Sequence, residues 1–151
     1  MRAITLVAIT SILTSHVVHA QSLQEQGMCA DQARKTFQED SRKWDIDAKQ
    51  MNYGQQTISL DYQSHYNTKL KRCLILTTRV YDSGGHTVTS INLYDAFERR
   101  DYGAYLWQTH PTKKYWEGPP ISCQLVPNYG QTNYCKSQEE FDAFVTDYMN
   151  Q

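Results

Sequence analysis

The sequence predicts an α+β domain: an antiparallel meander of about four strands covered by an N-terminal and a C-terminal helix, with two disulfides. Three observations carry that reading. From Thr57 onward apolar and polar residues alternate, with Ile58, Leu60, Tyr62 and Tyr66 on one face and Ser59, Asp61, Gln63 and His65 on the other; this is the period-two signature of a half-buried strand. Short polar or glycine-rich links join successive strand patterns, and short links mean antiparallel neighbours because parallel pairing needs long crossovers. Helical apolar spacing stands at both ends of the chain, over Met28 to Asp40 and again after Ser137.

The elements follow in order. In the first helix Ala30, Ala33 and Phe37 recur at helical spacing and Trp44 continues the stripe, while Asp31, Gln32, Arg34 and Lys35 take the wet side. The pattern weakens from Asp45 to Gln56, where Asn52-Tyr53-Gly54 reads as a turn. The strand to Asn67 and the strand Cys73 to Tyr81, rich in β-branched and aromatic residues, form a hairpin across Asn67-Thr68-Lys69. Gly84-Gly85 supplies the positive φ of the next tight turn. A third strand runs from His86 to about Ala96, the charged Phe97 to Asp101 makes a turn or strand end, and Tyr102 to Trp107 is the fourth strand. All four prolines lie between Pro111 and Pro127, which predicts a long loop stapled at its far end by cysteine. In the last helix Ser137 and Glu140 have capping-box spacing, and Phe141, Phe144, Val145 and Tyr148 form its apolar stripe.

Composition limits the function classes. Arg2, the apolar run Ala3 to Leu13 and the site Val18-His19-Ala20 make a secretory signal peptide over residues 1–20, leaving 21–151 as a single exported domain. The full chain carries a net charge of −1, and losing Arg2 makes it one unit more negative. Such a chain has no basic field to draw nucleic acid or anionic lipid, and no second apolar segment to span a membrane. The four cysteines allow three pairings. Cys29 with Cys73 would staple the first helix to the sheet, and Cys123 with Cys135 would close a short local loop. Four thiolates can also hold zinc, but there is no Cys-x-x-Cys pair and export favours oxidation. No cofactor or metal is expected.

Ser64-His65-Tyr66-Asn67-x-x-Leu70-x-x-Cys73, together with Cys29-x-x-Gln32-Ala33 and Leu93-Tyr94-Asp95-Ala96, resembles small exported proteins of Gram-negative bacteria that have no assigned function. The resemblance covers most of the mature chain and implies export into a bacterial envelope; the signal-peptide pattern places cleavage at Ala20, for a location in the periplasm or outside the cell. It carries no activity that transfers.

The candidate residues are few. His65 has Asp61 four residues before it on the polar face, which suits a tuned base; the alternative is that His65 and Asn67 brace the turn backbone. His86 and His110 lack metal-ligand spacing with it. Glu98, Asp101, Glu139 and Glu140 offer carboxylates, yet Glu139 and Glu140 are explained by the helix dipole. Tyr102, Tyr105, Trp107, Tyr115 and Trp116 gather near the proline loop, either as packing beneath it or as a contact surface for a protein or glycan. The expected function is a non-catalytic exported binding protein of the bacterial envelope, with an envelope protein or glycan as partner and His65, Tyr66, Asn67, Trp107, Tyr115 and Trp116 as binding residues. The alternative is a small hydrolase using His65 and a nearby carboxylate.

Overall fold

The computed structural model describes residues 15–50, 55–114, 117–128 and 130–151. Helix α1 (Ser15–Gln50) is followed by strands β1 (Gln56–Asn67), β2 (Arg72–Ser83), β3 (His86–Asp95), β4 (Asp101–Gln108), β5 (Ser122–Asn128) and β6 (Gln131–Tyr134), and then by helix α2 (Gln138–Met149). Of the expected signal peptide, residues 1–14 lie outside the described residues; the chain is helical from Ser15. Among the described residues no helix is long and apolar enough to cross a membrane.

The strands form one sheet in sequence order, and every neighbouring pair is antiparallel. The α+β meander therefore stands, but with six strands rather than four. The extra pair comes from the far end of the segment expected to be a stapled proline loop. Ser122 to Leu106 and Leu125 to Gly103 pair β5 with β4. Pro127 is tolerated because the register between β5 and β6 is interrupted between Leu125 and Asn128, so no ladder bond is lost there. Both expected disulfides are present, Cys29–Cys73 from α1 to β2 and Cys123–Cys135 across the last hairpin. Gly84 and Gly85, at φ 63° and 83°, make the two-residue turn between β2 and β3.

The sheet is covered on both faces. Along β2, Cys73 and Ile75 meet α1 while Leu74 and Leu76 meet the α2 side, as alternation requires. On the first face Cys29, Ala33 and Phe37 of α1 pack on Ile75, Tyr94, Ala96, Tyr62 and Tyr66, with the Phe37 and Tyr62 rings stacked 4.4 Å apart. The helix is longer than Met28–Asp40, and its inner stripe is shifted. Ala30 is exposed, Thr36 is fully buried in its stead, and Gln32, assigned to solvent, is part-buried. The polar stripe works because the sheet offers it acceptors: Thr36 Oγ1 donates to the Ala96 carbonyl at 2.9 Å and Gln32 Nε2 to the same oxygen at 3.2 Å. Ile58, placed on the apolar face, is exposed beside a register irregularity between Thr57 and Ser59.

On the second face Phe141 and Val145 of α2 close a core of Leu74, Ile91, Leu93, Tyr102, Tyr105 and Trp107. Gly103 makes the close approach possible: a Cβ there would stand 3.1 Å from the Phe141 ring. Phe144 packs at the margin, partly buried, so Phe141 is the residue that fills the core. Ser137 caps α2 by accepting the Glu140 N–H at 3.2 Å. Glu140 reaches back one residue beyond the cap, to the Lys136 N–H at 2.8 Å.

Candidate functional site

Three pieces of chain converge at one end of the α1 face: the β1–β2 turn, the β3–β4 turn and the α1 segment around Cys29. The first turn is shaped by Asn67. Its Oδ1 accepts the Leu70 N–H at 2.8 Å, and its Nδ2 donates to the Tyr148 carbonyl of α2 at 2.8 Å. Asn67 is fully buried, so both amide ends are satisfied without water. The second turn is shaped by Asp95, also buried, whose Oδ1 accepts the N–H groups of Phe97 and Glu98 at 2.7 and 2.9 Å. The helix is fixed to the sheet by Cys29–Cys73 and by Gln26. The Gln26 side-chain amide bonds the Tyr66 N–H at 3.0 Å and the Tyr66 carbonyl at 3.1 Å. It thereby stands in for a neighbouring strand along the open edge of β1.

Between these pieces lies a cavity of about 350 Å³, lined by the disulfide, Tyr66, Met28 and Phe97 and rimmed by Glu25, Lys71, Arg72, Asp95 and Glu98. Met28 is 53% and Phe97 60% exposed, so two large apolar side chains flank an apolar depression in water. Arg72 bonds Glu98 and lies 3.8 Å from Asp95. The hydrogen bond to Glu98 and then its charge hold the guanidinium above its ordinary pKa. Tyr66 is raised above the usual phenol value by burial first, then by the nearby Glu25 carboxylate. The sulfurs are oxidised, so the depression carries no thiol nucleophile. What remains is an apolar seat within a ring of both charge signs.

The residues singled out from sequence do not form one site. Tyr66 lines this cavity. His65, its neighbour, points to the opposite face, where Nε2 lies 2.9 Å from the Gln151 backbone oxygen. Of the two residues expected to brace the turn backbone, Asn67 does so and His65 does not, its ring meeting Gln151 instead. Asp61 is exposed and accepts the Tyr62 N–H. Trp107 is buried in the α2-side core, its indole nitrogen close against Gly118 of the proline segment. Tyr115 and Trp116 lie outside the described residues. Among the described residues no group of three or more His, Cys, Asp or Glu is placed to hold a metal. Sequence reading missed Met28, Phe97 and Arg72. One signal was there: Phe97 is a lone aromatic inside the charged run Phe97-Glu98-Arg99-Arg100-Asp101. Compared with known proteins, the chain matches no family model, no curated protein and no solved structure.

Proposed function

We propose that this chain is an exported, non-catalytic binding protein of the bacterial envelope, and that it holds a protein partner through the cavity beside Cys29–Cys73. The observation that carries the reading is the pair Met28 and Phe97, both more than half exposed on either side of an apolar seat. Leaving two such side chains in water is costly, and burying them with an inserted apolar residue recovers that free energy. The mixed rim of Glu25, Lys71, Arg72 and Glu98 favours a partner of mixed charge and sets its orientation more than its affinity. Two disulfides fit an oxidising compartment, in agreement with the signal-peptide pattern and with the resemblance to exported bacterial proteins. The hydrolase reading has less behind it, because His65 is engaged by backbone and Asp61 faces solvent.

Capture from an envelope extract with the disulfide-intact protein is the test. A partner retained by the native chain should bind the Met28→Ser/Phe97→Ser variant more weakly by about 2 kcal/mol or more, roughly thirtyfold in Kd. The urea midpoint should stay near the native value because both side chains are exposed. Unchanged capture by the double variant sinks the proposal.

A further inference from the structure

The open meander leaves two sheet edges, β1 and β6. An open edge shows unpaired N–H and C=O groups and is a template for another strand. The chain treats its two edges differently. On β1 the outward groups of Tyr66 are both taken by the Gln26 amide, and the Tyr62 N–H by Asp61 Oδ1 at 2.8 Å. A register irregularity between Thr57 and Ser59 interrupts the rest of that edge.

The β6 edge is left open. All four of its residues are exposed. The Cys135 N–H donates to the Cys123 carbonyl at 3.1 Å, and Asn133 faces Leu125. Antiparallel alternation therefore turns the N–H and C=O groups of Thr132 and Tyr134 outward. Among the described residues nothing does for them what Gln26 does for Tyr66. The Tyr134 side chain is itself 76% exposed. A short edge strand frays easily, but Cys123–Cys135 ties this one to β5 directly after Tyr134. Its ordering is completed by folding rather than by binding.

Charge selects the occupant. From Pro119 to Cys135 the sequence holds no Asp, Glu, Lys or Arg, the residues that ordinarily guard an edge. In a two-fold pair each strand meets its own image, so a charge near the axis meets itself and destabilises the pair. The β6 strand is free of that penalty. With Asn133 on the axis, Thr132 and Tyr134 of the second copy exchange both N–H···O bonds, and the reverse pair does the same. Each Tyr134 ring then lies beside a Thr132 methyl, a favourable aromatic and β-branched neighbour. Lys136, the nearest charge, stands opposite Gly130 of the second copy.

We propose that β6 pairs with β6 of a second copy of this chain, antiparallel about a two-fold axis at Asn133, so that one sheet runs through a dimer. Assembly stops at two copies because the β1 edges are blocked; a second open edge would extend the sheet indefinitely.

Sedimentation velocity on the disulfide-intact protein, from micromolar to millimolar concentration, should show a reversible monomer–dimer equilibrium. Hydrogen exchange at the Thr132 and Tyr134 amides should slow as concentration rises, because only the dimer bonds them. Tyr134→Lys puts a charge on the edge, and Thr132→Pro removes an outward N–H that the β5 ladder does not use. Each should weaken the dimer about tenfold or more, with little change in the monomer's thermal midpoint since both side chains are exposed. The inference fails if the chain stays monomeric at millimolar concentration, if the dimer survives both variants, or if assembly grows past two copies. Met28→Ser/Phe97→Ser should leave the dimer intact, so failure here is distinguishable from failure of the partner-binding reading.

Discussion

The two faces of the sheet are held by different physics. Under α2 the contacts are apolar and interlocked: Phe141 lies on Gly103 and Tyr105, with Leu74, Leu93 and Val145 around it. Under α1 the inner stripe mixes Cys29, Ala33 and Phe37 with Thr36, Asp40 and Trp44, and docking runs through directed bonds to Ala96, Tyr94 and Tyr66. Non-directional burial tolerates little open space, because voids forfeit dispersion contacts. Directed bonds hold a helix off the sheet locally while keeping it in register. The cavity beside Cys29–Cys73 lies on the α1 face, while a larger one of about 630 Å³ opens between the proline segment and the first turn of α2, outside its apolar core.

The sharpest way to break that contrast is to open the α2 core. Phe141→Ala should lower stability by about 4 kcal/mol, and Phe144→Ala by about half as much, since only the first is fully buried. Chemical denaturation with urea separates them. Equal costs would mean that α2 does not dock through Phe141.

A smaller effect is expected on the other face. Thr36→Val keeps the shape but removes the 2.9 Å bond to Ala96. Gln32 still serves that carbonyl, so the loss should be about 1 kcal/mol. Hydrogen exchange should quicken in α1 and leave α2 unaffected. A loss as large as that of Phe141→Ala would erase the distinction drawn between the faces.

The smallest effect concerns pH, with one carboxylate beside each helix. Burial raises both Asp101, on the α1 face, and Asp142, in the first turns of α2, above 3.8. A carboxyl whose folded pKa exceeds its unfolded one is destabilising when ionised, so stability is gained as pH falls through the folded value. Asp101→Asn and Asp142→Asn should each raise stability slightly at neutral pH and flatten the gain seen as pH falls through the raised carboxyl pKa. Thermal midpoints across that range check it; a steeper acid profile in either variant would reverse the sign.

Much of the framework was legible in the residues. The β1–β2 hairpin, the Gly84-Gly85 turn and the Ser137 cap followed from spacing and composition, because these are local chemistry; of three cysteine pairings, spacing favoured the one that forms. The β5–β6 pair was not legible. Its prolines argue against strand locally, and only the interrupted register shows why Pro127 is harmless. The site was less legible still. His65 and Tyr66 are neighbours in sequence and face opposite ways in a strand, so a motif that spans both cannot be one surface. Three segments far apart in sequence build the cavity at Cys29–Cys73, and no periodicity within any of them reports the others.

By itself the sequence determined the class of the fold, the antiparallel order of its first four strands and the capping of the last helix, and it favoured one of three cysteine pairings, which the structure then showed. Each rests on interactions spanning a few residues or on a short closure. The tertiary structure decided which face of each element became an interface. Thr36 is buried and Ala30 exposed because the Ala96 carbonyl waits on the sheet, and Phe141 outranks Phe144 because Gly103 leaves room for its ring. Those outcomes depend on backbone brought in from 38 residues away in one case and 60 in the other. A short-range pattern cannot encode an acceptor or a vacancy that only the folded sheet supplies.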